Sequence, residues 1–96
     1  MNNFGIREQA LKEIKEIAEE CQLEKLILFG SRARGDYKRT SDIDLAVKGG
    51  NVVAFTLRME ETSTLLEFDV VDLNSGITPE LYESIMMEGK VLYEKG

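Results

Sequence analysis

The sequence predicts one layered domain of helices packed on a β-sheet, α+β or α/β in class. Three observations predict it. Apolar residues recur at helical spacing over residues 5–21. Short β-rich runs lie at 24–29, 43–47 and 67–73. Glycine turns and a Thr-Pro-Glu helix start separate them, in the order helix, strand, turn, strand, helix, strand, helix.

The first helix is read over residues 5–21. Ile6, Ala10, Ile14, Ile17 and Cys21 recur at steps of three and four, and Leu11 and Ala18 widen the stripe. Its glutamates, from Glu8 to Glu20, then form a solvated face, and Cys21 is a core thiol at the helix end. Glu24 to Phe29 is a continuous apolar run stopped by Gly30, which suits a strand buried on both faces. Ser31 opens a turn or short helix, Gly35-Asp36 marks the next turn, and Ile43 to Val47 forms a second strand closed by Gly49-Gly50. A second long helix is expected over 51–66, with Val52, Val53, Phe55, Thr56, Met59, Ser63 and Leu66 on an imperfect apolar face. Residues 67–73 give a third strand. Thr78 caps a last helix with Pro79 at its first position, Leu81, Ile85 and Met86 give its buried stripe, and Gly89 stands as its C′ residue. Met86 and Met87 are read as core filler, and Val91-Leu92-Tyr93 as a short edge strand.

Composition narrows the chemistry. With 96 residues the chain is expected to form one domain spanning 1–96. It is 43% hydrophobic and 31% charged, ordinary for a globular protein. No apolar stretch approaches the roughly 20 residues of a membrane span, so no membrane association is expected. Met1 to Gly5 lacks a basic segment followed by an apolar one, so no signal peptide is expected. One cysteine excludes an internal disulfide and suits the cytoplasm. The absence of histidine removes Ser-His-Asp catalysis and histidine zinc sites. The net charge of −6 argues against nonspecific nucleic-acid binding. Against that background Arg32, Arg34, Lys38 and Arg39 cluster within eight residues, which points to a small anionic ligand at that loop.

The sharpest chemistry is Asp42 and Asp44. In a strand, residues i and i+2 share a face, so two carboxylates would repel without a cation between them. With no histidine, the fitting ions are hard ones, Mg²⁺ or Mn²⁺. A third acid comes from Phe68-Asp69-Val70-Val71-Asp72. Asp69 lies mid-strand among apolar residues, where an acid needs a partner, and is favoured; Asp72 is the alternative, and Glu67 is read as a surface acid. Together with the Gly30-Ser31 turn, these parts make a nucleotidyl-transfer site. The Ser31 hydroxyl and turn N–H groups hold the outer phosphates of a nucleoside triphosphate, and two metal ions on Asp42, Asp44 and Asp69 assist in-line displacement, with Asp69 also a candidate general base. Gly30, Ser31, Arg32 and Ser41 are the candidate nucleotide-binding residues. Arg32 and Arg34, two apart, are not expected to face the same ligand.

Gly30-Ser31-Arg32-Ala33-Arg34-Gly35, then Ser41-Asp42-Ile43-Asp44-Leu45, then Phe68 to Leu73, resemble the minimal nucleotidyltransferases of the DNA polymerase β-like superfamily. The resemblance runs over essentially the whole chain, including Gly89-Lys90-Val91-Leu92-Tyr93. It implies an α+β fold, a mixed sheet with helices packed against it. It also implies Mg²⁺-dependent transfer of a nucleoside monophosphate, with ATP as substrate. Ser31 then contacts phosphate, and Asp42, Asp44 and Asp69 form the metal triad. Larger members carry an extra domain, so a second copy or another protein is expected to complete this site. Minimal members are often antitoxins that add AMP to a tyrosine of an all-helical HEPN ribonuclease toxin, and the resemblance implies that partner. Two other readings stand beside it: nucleotidyl transfer to a small hydroxylated molecule such as an antibiotic, and a non-catalytic module that blocks a partner by occlusion.

Overall fold

A computed structural model describes residues 4–62 and 67–95. Eight elements follow one another: α1 (Glu8–Glu20), β1 (Lys25–Phe29), α2 (Ser31–Arg34), β2 (Ile43–Lys48), α3 (Val52–Met59), β3 (Phe68–Asp72), α4 (Pro79–Glu88) and β4 (Lys90–Glu94). The strands form one mixed sheet in the order β3-β2-β1-β4. β1 runs antiparallel to both β2 and β4, while β2 and β3 are parallel and joined through α3. The α+β mixed sheet expected from the motifs is what forms, with β4 as the anticipated edge strand.

Strand parity divides the sheet into two unlike faces. Leu26, Leu28, Ile43, Leu45 and Val47 point to one side and are buried by Ala10, Leu11, Ile14, Ile17 and Ala18 of α1 with Phe55 and Met59 of α3. Ile27 and Ala46 point to the other side, where Ile85 and Leu81 of α4 cover them together with Phe29 and Val71. The first face is fully roofed by two helices. The second is covered by the ten-residue α4 alone. β1 is therefore apolar at every central position, as a strand buried on both faces must be.

Several boundaries differ from the sequence reading. α1 begins at Glu8 rather than near residue 5, because Gly5 adopts φ +68° and breaks the helical path. α3 ends at Met59. The N–H groups of Glu61 and Thr62 donate to the carbonyls of Arg58 and Met59, and the Thr62 hydroxyl also donates to the Met59 carbonyl, so the last turn closes on itself. Ser63 and Leu66, which the longer helix would include, lie outside the described residues. Val53, assigned to the buried stripe of α3, is 71% exposed. Met86 and Met87 are exposed too, not core filler; Ile85 and Leu81 already fill the sheet side of α4. Thr78 caps α4 as read, its Oγ1 accepting from the Leu81 N–H at 3.2 Å. Cys21 is buried as read, and burial pushes its thiol pKa up. Among the described residues no helix is long and apolar enough to cross a membrane.

Gly89 ends α4 for a different reason from a left-handed cap. Its φ is −67°, which any residue can adopt. A Cβ there would collide with Ile27 Cγ2 and the Ile85 carbonyl oxygen, so glycine is required by the closeness of β1. Gly89→Ala should lower the unfolding free energy by about 1–3 kcal/mol through overpacking. Phe55→Ala should lower it by about 3–5 kcal/mol through a cavity. Both are read from urea denaturation.

Candidate active site

The site is assembled by strand register. On the parallel β2–β3 pair, Asp44 stands directly opposite Asp69. Opposed residues on neighbouring strands share a face, so both carboxylates rise from the α4 side of the sheet. They lie near the ends of their strands, before the region that Ile85 and Leu81 cover. Asp42 precedes Asp44 by two residues and is exposed, as is Asp69; Asp44 is half-buried. Alternating with them, Ile43 and Leu45 anchor β2 in the opposite core, both fully buried. That alternation fixes which way the acids point, since a one-residue slip would put Asp44 into the core.

The electrostatics of the set are read at Asp44. Asp44 has its pKa raised above the ordinary carboxylate value, first by burial, then by the charge of Asp69, then by Asp42, with Arg34 opposing. Among the described residues no three acidic or thiol groups already close into a metal cage. Strand register, not a closed cage, is what defines the set. The donors are oxygen only, and Asp44 sits beside two like charges, which fits a hard divalent cation. Asp72 does not join them. It faces Val47 at the far end of β3, accepts from the Asn74 N–H and side-chain amide at 2.8 Å each, and lines a separate cleft of about 950 Å³ with Glu20, Asn51 and Arg58. Glu67 is exposed at the start of β3, and its carbonyl accepts from the Ile43 N–H.

Gly30 joins the Gly30-Ser31 turn to the acids. It adopts φ 75°, the region glycine favours, and a Cβ on it would collide with Oδ2 of Asp44. The turn that follows is α2. Its Ala33 and Arg34 N–H groups donate to the Gly30 carbonyl, and those of Gly35 and Asp36 to the Ser31 carbonyl. That pattern leaves the first N–H groups of the turn at its open end, beside the Asp44 carboxylate. Among the described residues the Ser31 hydroxyl has no partner, so it is free for a ligand.

The basic loop separates into opposite roles. Arg34 points outward and pairs with Glu88 at 3.0 Å and Asp36 at 3.4 Å. Arg32, proposed from sequence as a nucleotide contact, turns inward and is 1% exposed. Its guanidinium donates to the carbonyls of Phe4, Gly5, Arg39 and Ser41, so no donor is left for a phosphate. Ser41 is likewise occupied: its Oγ accepts from the Lys38 N–H at 2.8 Å and its carbonyl from Arg32. Both residues shape the loop. Only the acid triad, Gly30 and Ser31 of the sequence candidates stand at the open face.

A carboxylate whose pKa is raised in the fold binds its proton more tightly when folded than when unfolded. Its favourable contribution is therefore present below the unfolded value of about 3.9 and lost as pH rises through the folded value. Asp44→Asn should accordingly raise the melting temperature at pH 7. The gain should vanish below about pH 3.9. Adding Mg²⁺ should stabilise the parent more than the variant.

The family model described as "Polymerase beta, Nucleotidyltransferase" matches residues 12–96. A Methanocaldococcus jannaschii relative carrying the name protein adenylyltransferase MJ0604 is 35% identical over 81 residues, covering 75% of this chain and 80% of the relative. A crystal structure of a toxin–antitoxin with AMP-PNP superposes with TM-score 0.70 at 29% identity, covering 88% of this chain and 73% of that one. A toxin–antitoxin MntA–HepT crystal structure gives TM-score 0.63 at 25% identity, covering 93% and 74%. The family and the fold that the motifs implied are both met: the chain belongs to the polymerase beta nucleotidyltransferase family and is a nucleotidyltransferase.

Proposed function

We propose that this nucleotidyltransferase, a single domain over residues 1–96, moves AMP from ATP to a hydroxyl of a partner protein, with Mg²⁺ held by Asp42, Asp44 and Asp69. One observation carries the reading. Asp44 and Asp69 face each other across β2 and β3, with the Asp42 charge acting on Asp44, on the sheet face beside the Gly30-Ser31 turn. The name of the MJ0604 relative and the AMP-PNP in the toxin–antitoxin crystal favour adenylyl transfer over other nucleotides.

The chain's own groups divide the work. The Ser31 hydroxyl and the first N–H groups of α2 hold the outer phosphates. Asp69, exposed and opposite Asp44, accepts the proton of the acceptor hydroxyl. The new bond joins that oxygen to the α-phosphorus, and the bond to pyrophosphate breaks. Bound divalent ions, two in this reading, neutralise phosphate charge and lower the pKa of the attacking hydroxyl.

The acceptor is proposed to be a tyrosine of a helical HEPN-type toxin in the cytoplasm, with this chain as its antitoxin. The toxin–antitoxin neighbours support a toxin partner. A partner also supplies the acceptor's side of an acid face that α4 covers only in part; a second copy of the chain is the alternative source.

The test is incubation with ATP, Mg²⁺ and the protein of the adjacent gene, followed by intact-mass measurement. The partner should gain one AMP. Asp44→Asn should slow the gain by at least about a hundredfold, since even supporting residues of metal sites are worth about 10–100-fold. Tight binding with no mass gain on either protein would replace catalysis with occlusion.

A further inference from the structure

We propose that Arg32 is a positioning residue for Asp42, and that Phe4 and Gly5 form a strap that holds it in place. The proposal rests on the reading of Asp42 as a metal ligand. Arg32 is the buried charged side chain among the described residues. A buried cation is costly unless its donors are satisfied, and here backbone carbonyls do this. Nη1 donates to Phe4 and Gly5 at 2.9 and 3.2 Å, and Nη2 to Arg39 at 3.3 Å. The remaining two bonds, from Nε at 3.1 Å and Nη2 at 2.9 Å, converge on the Ser41 carbonyl. That carbonyl belongs to the peptide unit that continues into Asp42. Because the unit is planar, gripping its oxygen sets the direction in which the chain enters Asp42.

The grip is specific to a planar fork. A lysine keeps the charge and cannot reach both sides of the loop at once. Tyr37 completes the clasp, its ring centroid 4.9 Å from the guanidinium carbon. The same ring lies against Gly5, where an added Cβ would sit 2.7 Å from Cζ and 2.8 Å from the hydroxyl oxygen. Gly5 also holds φ +68°. Any other residue there would strain the backbone and press the strap against the Tyr37 ring, disturbing the two carbonyls it lends to Arg32. The acid face is thereby coupled to a segment 37 residues earlier in the chain, from Gly5 to Asp42. An arginine buried only for stability has no need to place two bonds on the residue immediately before a metal ligand.

The experiment measures Mn²⁺ affinity directly, by the electron paramagnetic resonance of free Mn²⁺, in the full chain. Asp44→Asn should abolish binding by the parent; if it does not, the metal reading fails and this proposal with it. With that control met, Arg32→Lys and Gly5→Ala should each weaken Mn²⁺ binding by about 10–100-fold, the range for supporting residues of metal sites. Ile17→Val, a core change remote from the loop, should reduce melting temperature and leave Mn²⁺ affinity at the parental value. Should Arg32→Lys fail to fold, Gly5→Ala decides alone. Parental Mn²⁺ affinity in Gly5→Ala, or equal weakening in Ile17→Val, would overturn the proposal.

Discussion

Two carboxylates held opposite each other on a parallel strand pair repel, and the domain is arranged to keep them there. β2 lies inside the sheet, bonded on one side to β1 and on the other to β3. Its odd-numbered residues Ile43, Leu45 and Val47 are locked in the core under α1 and α3, so its even-numbered residues must face α4. Asp44 and Ala46 share that face. Ala46 is roofed by α4, and Asp44 is left at its margin. The core thus fixes register, and register fixes the acids. Gly30 adds a second constraint, since its φ of 75° favours glycine and a Cβ there would collide with Oδ2 of Asp44.

This arrangement places stability and chemistry in opposition. Burial and two like charges disfavour ionised Asp44, yet an ionised Asp44 is what a cation requires. Natural sites commonly hold such local destabilisation against a sound core. Here the core is the α1–α3 face. The loop between α2 and β2 is stiffened separately, by a buried guanidinium that draws four carbonyls around it. In the proposed reaction, phosphate binding falls to Ser31 and the backbone of the turn.

The candidate acid face is legible in the chain because its determinants are local or periodic. The Gly-Ser turn and the Asp-x-Asp block lie on contiguous residues, and period-two alternation by itself puts Asp42 and Asp44 on one face. Asp69 is favoured over Asp72 from sequence as an acid among Phe68, Val70 and Val71 that needs a partner; the structure instead leaves it exposed, and it is strand register that sets it opposite Asp44. The features that stay hidden depend on distant contacts. Arg32 reads as an anion contact beside Ser31, but carbonyls on both sides turn it inward, those of Arg39 and Ser41 in its own loop and those of Phe4 and Gly5 more than twenty-five residues earlier. Gly89 reads as a helix cap, while Ile27 on another strand makes it obligatory. Met86 and Met87 read as core because they are apolar, yet folded surfaces also carry apolar atoms. A signal for Arg32 does exist in the sequence: an arginine two residues from another in a short helix must take a different direction.

The most direct measurement is a crystal structure of the chain with Mn²⁺ and a non-hydrolysable ATP analogue, read by anomalous scattering from manganese. The account predicts a peak bridging Asp42 and Asp44, with Asp69 adjacent and the outer phosphates on Ser31. A peak at Asp72 in the cleft by Asn51, or ordered nucleotide with no manganese among the three acids, would contradict it.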